Sequence, residues 1–280
     1  MISVSKNRKP RILDSENCLE RIRLNVVREE FEGTYYKHKD VLQALEGIYH
    51  GKCGYCESII RPVATPQVDH FRPKSKVKEA LNHPGYYWLG HEWSNLILAC
   101  PACNNAKSSH FPINGNRAVM PPLLPDGNLD TNRCLPDRSP LRDEAPELIH
   151  PEVEDTTNHF RFSPNGSIEG VTRRGTATIE TCKLNRRSFD LFRKRVIDDD
   201  LALANLLYVS YIEGLIVREQ LSSLLELWLN KIVNKCEPQM EYSLFQCYAL
   251  KHFDKFYINQ LPTESQRSEM QKVYEAVFGD

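Results

Sequence analysis

The chain has 280 residues, with 36 Lys and Arg against 37 Asp and Glu, for a formal charge of −1. A 41% hydrophobic and 26% charged composition describes a globular chain and excludes a disordered or fibrous one. The near balance excludes a basic surface over the whole chain, and nine cysteines, an odd count, fit metal ligands and buried thiols in a reducing compartment better than a disulfide scaffold.

In chain order, the first ten residues, MISVSKNRKP, lack the apolar run of a secretory signal, and no stretch approaches the ~20 clean apolar residues of a membrane span. A cytoplasmic protein without a membrane partner is expected. Residues 17–50 read as helices, because Leu19, Ile22, Val26 and Val27, then Val41, Leu45 and Ile48, recur at helical spacing with Gly33 as the break. From Cys53 short apolar runs alternate with Pro, Gly and Asn. Residues 121–151 hold seven prolines among many acids and predict a long irregular connection. Asn165-Gly166 between Phe160-Arg-Phe162 and Ser167-Ile168 predicts a hairpin.

After Gly175 the chain turns helical. Ile197, Leu201, Ala204, Tyr208, Tyr211 and Leu215, widened by Leu203, Leu206 and Leu207, predict a largely buried helix. The run Lys183, Arg186, Arg187, Arg193, Lys194 and Arg195 reads as a solvated helix face. Thr263 with Gln266 forms a capping box for a last helix striped by Met270, Val273, Tyr274 and Val277. The expected class is α+β, a small core between an N-terminal helical lead-in and a C-terminal helical region. The expected segments are 1–52, a core at 53–115, the connection and hairpin at 116–180, and helices at 181–280 that bind a partner.

Two C-x-x-C pairs, Cys53-Gly-Tyr-Cys56 and Cys100-Pro-Ala-Cys103, have 43 residues between them. Each pair can turn both sulfurs to one point, and two pairs complete a tetrahedral structural Zn²⁺ site. Cys18, Cys134, Cys182, Cys236 and Cys247 read as buried thiols. Between the pairs lie Asp69-His70-Phe71-Arg72, Trp93-Ser-Asn95, and, just after the second pair, Asn104-Asn-Ala-Lys107. Strand alternation turns Asp69 and His70 to opposite faces, so Asp69 can hold a metal while His70 meets water. Carboxylate and amide oxygens of Asp69 and Asn104 suit a hard cation, Mg²⁺ or Mn²⁺. Arg72 and Lys107 are the nearby cations that can grip phosphate. His91 reads as structural, His110 as a surface residue, and Tyr86-Tyr87-Trp88 with Trp93 as packing. Residues 61–120 carry 7 basic and 3 acidic side chains and residues 121–180 carry 6 and 11, so a basic motif block adjoins an acidic connection.

This pattern resembles the HNH (ββα-metal) nucleases in the variant where asparagine, here Asn104, replaces the last histidine, as in the HNH domain of CRISPR RNA-guided effectors. CGYCES, DHFRPKS, YYWLGHEWSNL, CPACN and GTATIE…LNRRS further resemble the HNH subunit of Septu-type anti-phage systems, some of which accompany retrons. The resemblance implies a phosphodiester hydrolase in which His70 is the general base, Asp69 and Asn104 hold the catalytic cation and Asn95 orients the histidine and pins its loop. It also implies an ABC/SMC-type ATPase partner, a retron reverse transcriptase with its msDNA in some systems, and a nucleic-acid substrate, DNA or an RNA such as tRNA. The alternative is a zinc-stabilised nucleic-acid-binding or adaptor protein with a vestigial site.

Overall fold

The computed structural model describes residues 1, 3–6 and 8–278. Two compact units divide the chain: Met1–Phe160 with Gly170–Leu184, and Arg161–Glu169 with Asn185–Asp280. The acidic connection expected as a segment of its own therefore falls largely within the first unit.

In that unit α1 (Glu16–Arg28) is capped by the Ser15 hydroxyl, which accepts from Cys18 N at 3.3 Å. It ends at Glu29 in the left-handed region, four residues before the glycine taken as the break. Asn25 enforces that reversal: its amide donates to Glu32 O at 3.0 Å and its oxygen accepts from Glu32 N at 3.1 Å. α2 (Lys39–Ile48) buries Val41 and Leu45, as their spacing predicts. A two-stranded antiparallel sheet follows, β1 (Gln67–His70) on β2 (Leu96–Ala99), with Asp69 opposite Ile97 and His70 opposite Leu96. β2 runs into α3 (Pro101–Lys107), whose first helical position is Pro101, where a missing N–H costs no helical bond. This ββα unit bears out the expected α+β class.

The connection has a physical reason for joining the first unit. Buried Glu144 accepts from Arg72 Nε at 2.7 Å, Tyr86 Oη at 2.5 Å and Ala118 N at 3.0 Å. A carboxylate so enclosed is stable only with such partners, and they draw the irregular segment onto the core. Tyr86, Tyr87, Trp88 and Trp93 are buried there, as packing requires.

β3 (Phe160–Phe162) and β4 (Ile168–Gly170) form the expected hairpin around Asn165-Gly166. Gly166 has φ +86°, and a Cβ there would fall 2.0 Å from Asp190 O, so glycine is required. α4 (Arg173–Cys182) closes the first unit.

In the second unit the chain continues through α5 (Arg187–Ile212), α6 (Arg218–Asn234), α7 (Ser243–Lys251), α8 (Phe253–Phe256) and α9 (Glu264–Phe278). The Thr263–Gln266 capping box is present, with Gln266 N donating to Thr263 Oγ1 at 3.3 Å. Buried Asp200 on α5 accepts from Lys235 Nζ at 2.6 and 2.7 Å. α5 departs from the expected burial: Leu206 is 61% exposed, because Ile197, Asp200 and Ala204 make the buried stripe, and the helix ends at Ile212, before Leu215. Within the basic run, Arg193 is also buried and donates to Gly166 O, whereas Lys194 and Arg195 pair along the helix with Asp198 and Asp199. Among the described residues, no helix is long and apolar enough to cross a membrane.

Candidate active site

The four knuckle sulfurs, of Cys53, Cys56, Cys100 and Cys103, lie within 4.8 Å of one another. A tetrahedron with ~2.3 Å Zn–S bonds places its sulfurs about 3.8 Å apart. The Cys56 and Cys100 sulfurs are 3.9 Å apart, so the donor set and its spacing fit zinc. Cys100 also caps α3, and Gly54 N donates to Leu98 O at 2.8 Å, so the knuckles join the loop before β1 to the end of β2.

Beside this frame an open cleft of ≈ 750 Å³ is lined by Gln67, Asp69, His70, Asn104 and the lysines Lys37, Lys74 and Lys76. Asp69 and His70 both line this cleft, on consecutive strand positions with different neighbours: Asp69 meets Tyr55 and Lys107, and His70 meets Gly90 and Tyr36.

The His70 Nε2–H donates to Gly90 O at 2.9 Å, and among the described residues no partner meets Nδ1. That bond sets the tautomer and leaves the Nδ1 lone pair as the base. Burial first, then the Lys74 ammonium, holds the imidazole well below its usual pKa, so the ring is neutral at pH 7. Tyr36 packs edge-on at 4.6 Å and fixes the ring plane. Lys74 lies over the Tyr36 ring at 4.8 Å and over Phe31 at 5.3 Å, aimed by cation–π contact rather than by a carboxylate.

Asp69 Oδ2 accepts from Tyr55 Oη at 2.5 Å and lies 3.1 Å from Lys107 Nζ; neither contact uses Oδ1. Asn104 donates from Nδ2 to Gln67 Oε1 at 2.7 Å, which turns its amide so that Oδ1 is the oxygen left for a cation. Asn95 makes three bonds, accepting from Arg72 N at 2.7 Å and donating to Arg72 O at 3.0 Å and Leu89 O at 3.1 Å. It pins the loop whose next residue, Gly90, holds His70, and it does not touch the imidazole.

Arg72 and Lys107, expected to grip phosphate, are arranged otherwise. Arg72 is buried on Glu144 and Leu141 O. Lys107 is fully buried, donating to His70 O at 2.7 Å. Both stems insert into the core because buried carboxylates there need counter-charges. His110 is a surface residue paired with Glu79, and His91 is buried among Phe31, Tyr35 and Tyr36. Sequence reasoning did not single out Tyr55, Gln67 or Lys74. The first stands inside a knuckle, Lys74 within the quoted DHFRPKS segment and Gln67 two residues before it, but their partners are tertiary.

Comparison with known proteins accords with this geometry. Residues 53–110 match the HNH endonuclease family. The chain is 31% identical over 217 residues to Septu protein PtuB of Bacillus mycoides (strain KBAB4), covering 71% of this chain and 68% of that protein. A second alignment, 28% identical over 155 residues, joins 54% of this chain to 20% of Septu protein PtuA of the same strain. With the cysteine frame, the ββα unit and the Asp69–His70–Asn104 cleft in place, the chain belongs to the family of Septu protein PtuB and carries its HNH endonuclease domain at residues 53–110.

Proposed function

We propose that the chain is a metal-dependent endonuclease that hydrolyses phosphodiester bonds of DNA and acts in the cytoplasm as the effector of a defence complex with an ABC/SMC-type ATPase. The observation that carries the reading is the His70 imidazole, neutral and tied at Nε2 to Gly90 O, in a cleft that Asp69 and Asn104 also line.

Each part has a role from its chemistry. A water in the cleft gives its proton to His70 Nδ1 as it attacks phosphorus. Asp69 Oδ1 and Asn104 Oδ1 would hold Mg²⁺ or Mn²⁺, which neutralises charge on the scissile phosphate and the leaving oxygen. Asn95 keeps the loop around Leu89 and Arg72 in place, so that Gly90 O stays in reach of His70 Nε2. Lys37, Lys74 and Lys76 would follow flanking phosphates, whereas Arg72 and Lys107 hold the scaffold. The cysteine cluster would hold structural zinc.

The second unit would serve the partner. Its helix α5 exposes Leu191, Phe192, Leu206 and Ile212, which supports a docking role for residues beyond the nuclease core.

The experiment is plasmid nicking by the chain purified with its ATPase in Mg²⁺ or Mn²⁺. His70→Ala is expected to lose at least ~10²-fold in rate, the usual worth of a general base, with its melting temperature retained. Equal rates for wild type and His70→Ala on DNA would leave the cleft without a catalytic role. Cleavage of RNA alone would move the substrate to that class.

A further inference from the structure

Tyr55 stands between the two cysteines of the first knuckle and is buried. Its hydroxyl carries the proton that a carboxylate oxygen, an acceptor, lacks. It donates to Asp69 Oδ2, the same oxygen that faces Lys107. The knuckle backbone has little freedom to drift. Cys53 N donates to Ser58 O at 3.0 Å, and a Cβ on Gly54 would fall 2.8 Å from both Ile97 Cγ2 and Tyr49 Cε1. A short chain of contacts thus runs from the cysteine cluster through Tyr55 to the carboxylate in the cleft.

We infer that Tyr55 is a positioning residue for the catalytic cation: the zinc knuckle holds the phenol, and the phenol fixes Asp69 Oδ2 so that Oδ1 is presented to the metal. The inference rests on the reading of Asp69 as a cation ligand. Two donors on one carboxylate oxygen remove the rotation and the bidentate alternative that a free carboxylate retains, so the site is organised before the cation arrives. The knuckle then has a second task besides stability. It sets the distance between the first C-x-x-C loop and β1, and Tyr55 transmits that distance to the cleft.

The test is Tyr55→Phe, which keeps the ring and removes only the hydroxyl, compared with Asp69→Asn and wild type. Mn²⁺ binding to the zinc-loaded full-length protein is measured by electron paramagnetic resonance, alongside zinc content and melting temperature. Tyr55→Phe is expected to retain one zinc and its melting temperature while binding Mn²⁺ about 10- to 100-fold more weakly, the usual cost of removing a group that orients a ligand. Nicking by this variant should recover as Mn²⁺ is raised. Wild-type affinity in Tyr55→Phe, with binding lost in Asp69→Asn, overturns the inference and leaves the nuclease reading intact. Loss of zinc or of the melting transition in Tyr55→Phe also overturns it, because the tyrosine would then serve the fold alone. Mn²⁺ binding that is absent from wild type and Asp69→Asn alike removes the cation-ligand reading and this inference with it.

Discussion

Lys107 Nζ lies 3.1 Å from Asp69 Oδ2 and donates to the His70 carbonyl oxygen at 2.7 Å, so one buried ammonium joins the end of α3 to the strand carrying both cleft residues. A cation in that position balances a carboxylate that the nuclease reading needs ionised. It also ties the third element of the ββα unit to the first, just as the cysteine cluster ties the loop before β1 to β2.

Lys107→Met is therefore expected to destabilise the first unit by about 3–5 kcal/mol, because removing one partner leaves Asp69 buried without its counter-charge. A lowered denaturation midpoint in urea checks this. The salt dependence of nucleic-acid binding should be unchanged in any fraction that stays folded. Lys74→Gln and Lys76→Gln should behave in the opposite way, with little change in stability and the slope of log affinity against log salt reduced by about 0.7–0.9 for each. A large salt effect from Lys107→Met would restore the phosphate role to it.

Cys100→Ser removes a sulfur from the four-cysteine cluster and replaces the residue that caps α3. Structural zinc contributes folding free energy on the order of 10 kcal/mol in small zinc-dependent peptides, more than a domain of ordinary stability can lose. The expected outcome is loss of zinc, measured by mass spectrometry, together with loss of the first unit's cooperative melting. Zinc content and melting temperature equal to wild type would show that the cluster does not hold the fold.

Acid should weaken the first unit through two buried histidines other than His70. Burial, followed by Lys6 and Arg72, depresses His150 to about 3; burial chiefly depresses His91 to about 4. Both folded values lie below the ordinary histidine value near 6.5, so below that pH the unfolded chain binds more protons than the folded one. Stability is fully present above about pH 6.5 and falls on acidification toward pH 4, by up to ~1.4 kcal/mol per pH unit for each proton taken up. Urea midpoints between pH 7.5 and 5 measure the slope, and His150→Gln should make it shallower. A flat profile would show that neither ring is held neutral by the fold.

Several features were legible because their determinants are local. The C-x-x-C pairs, the Asn165-Gly166 turn and the Thr263–Gln266 box depend on residues within a few positions of one another, and each occurs where the sequence places it. Arg72 and Lys107 were read as phosphate ligands because a cation near a metal motif is ambiguous until its counter-charge is known. Glu144 lies 72 positions from Arg72, and nothing in either segment announces that they meet. The same holds for α5, whose apolar stripe is wide in sequence but only partly covered, since periodicity reports amphipathicity and not which neighbour packs on it.

The amino-acid sequence by itself determined the donor atoms: four thiols, a carboxylate, an imidazole and an amide at spacings that a two-knuckle ββα unit brings together. Only the tertiary structure decided which atom of each donor is free. Tyr55 and Lys107 take Asp69 Oδ2, Gly90 O takes His70 Nε2, and Gln67 takes the Asn104 Nδ2 hydrogen. Tertiary structure also turned two expected phosphate ligands into buried struts and left three lysines on the cleft wall. The reason is the same in every case. Side-chain chemistry is a local property, whereas hydrogen-bond direction and desolvation depend on neighbours that the chain supplies from a distance.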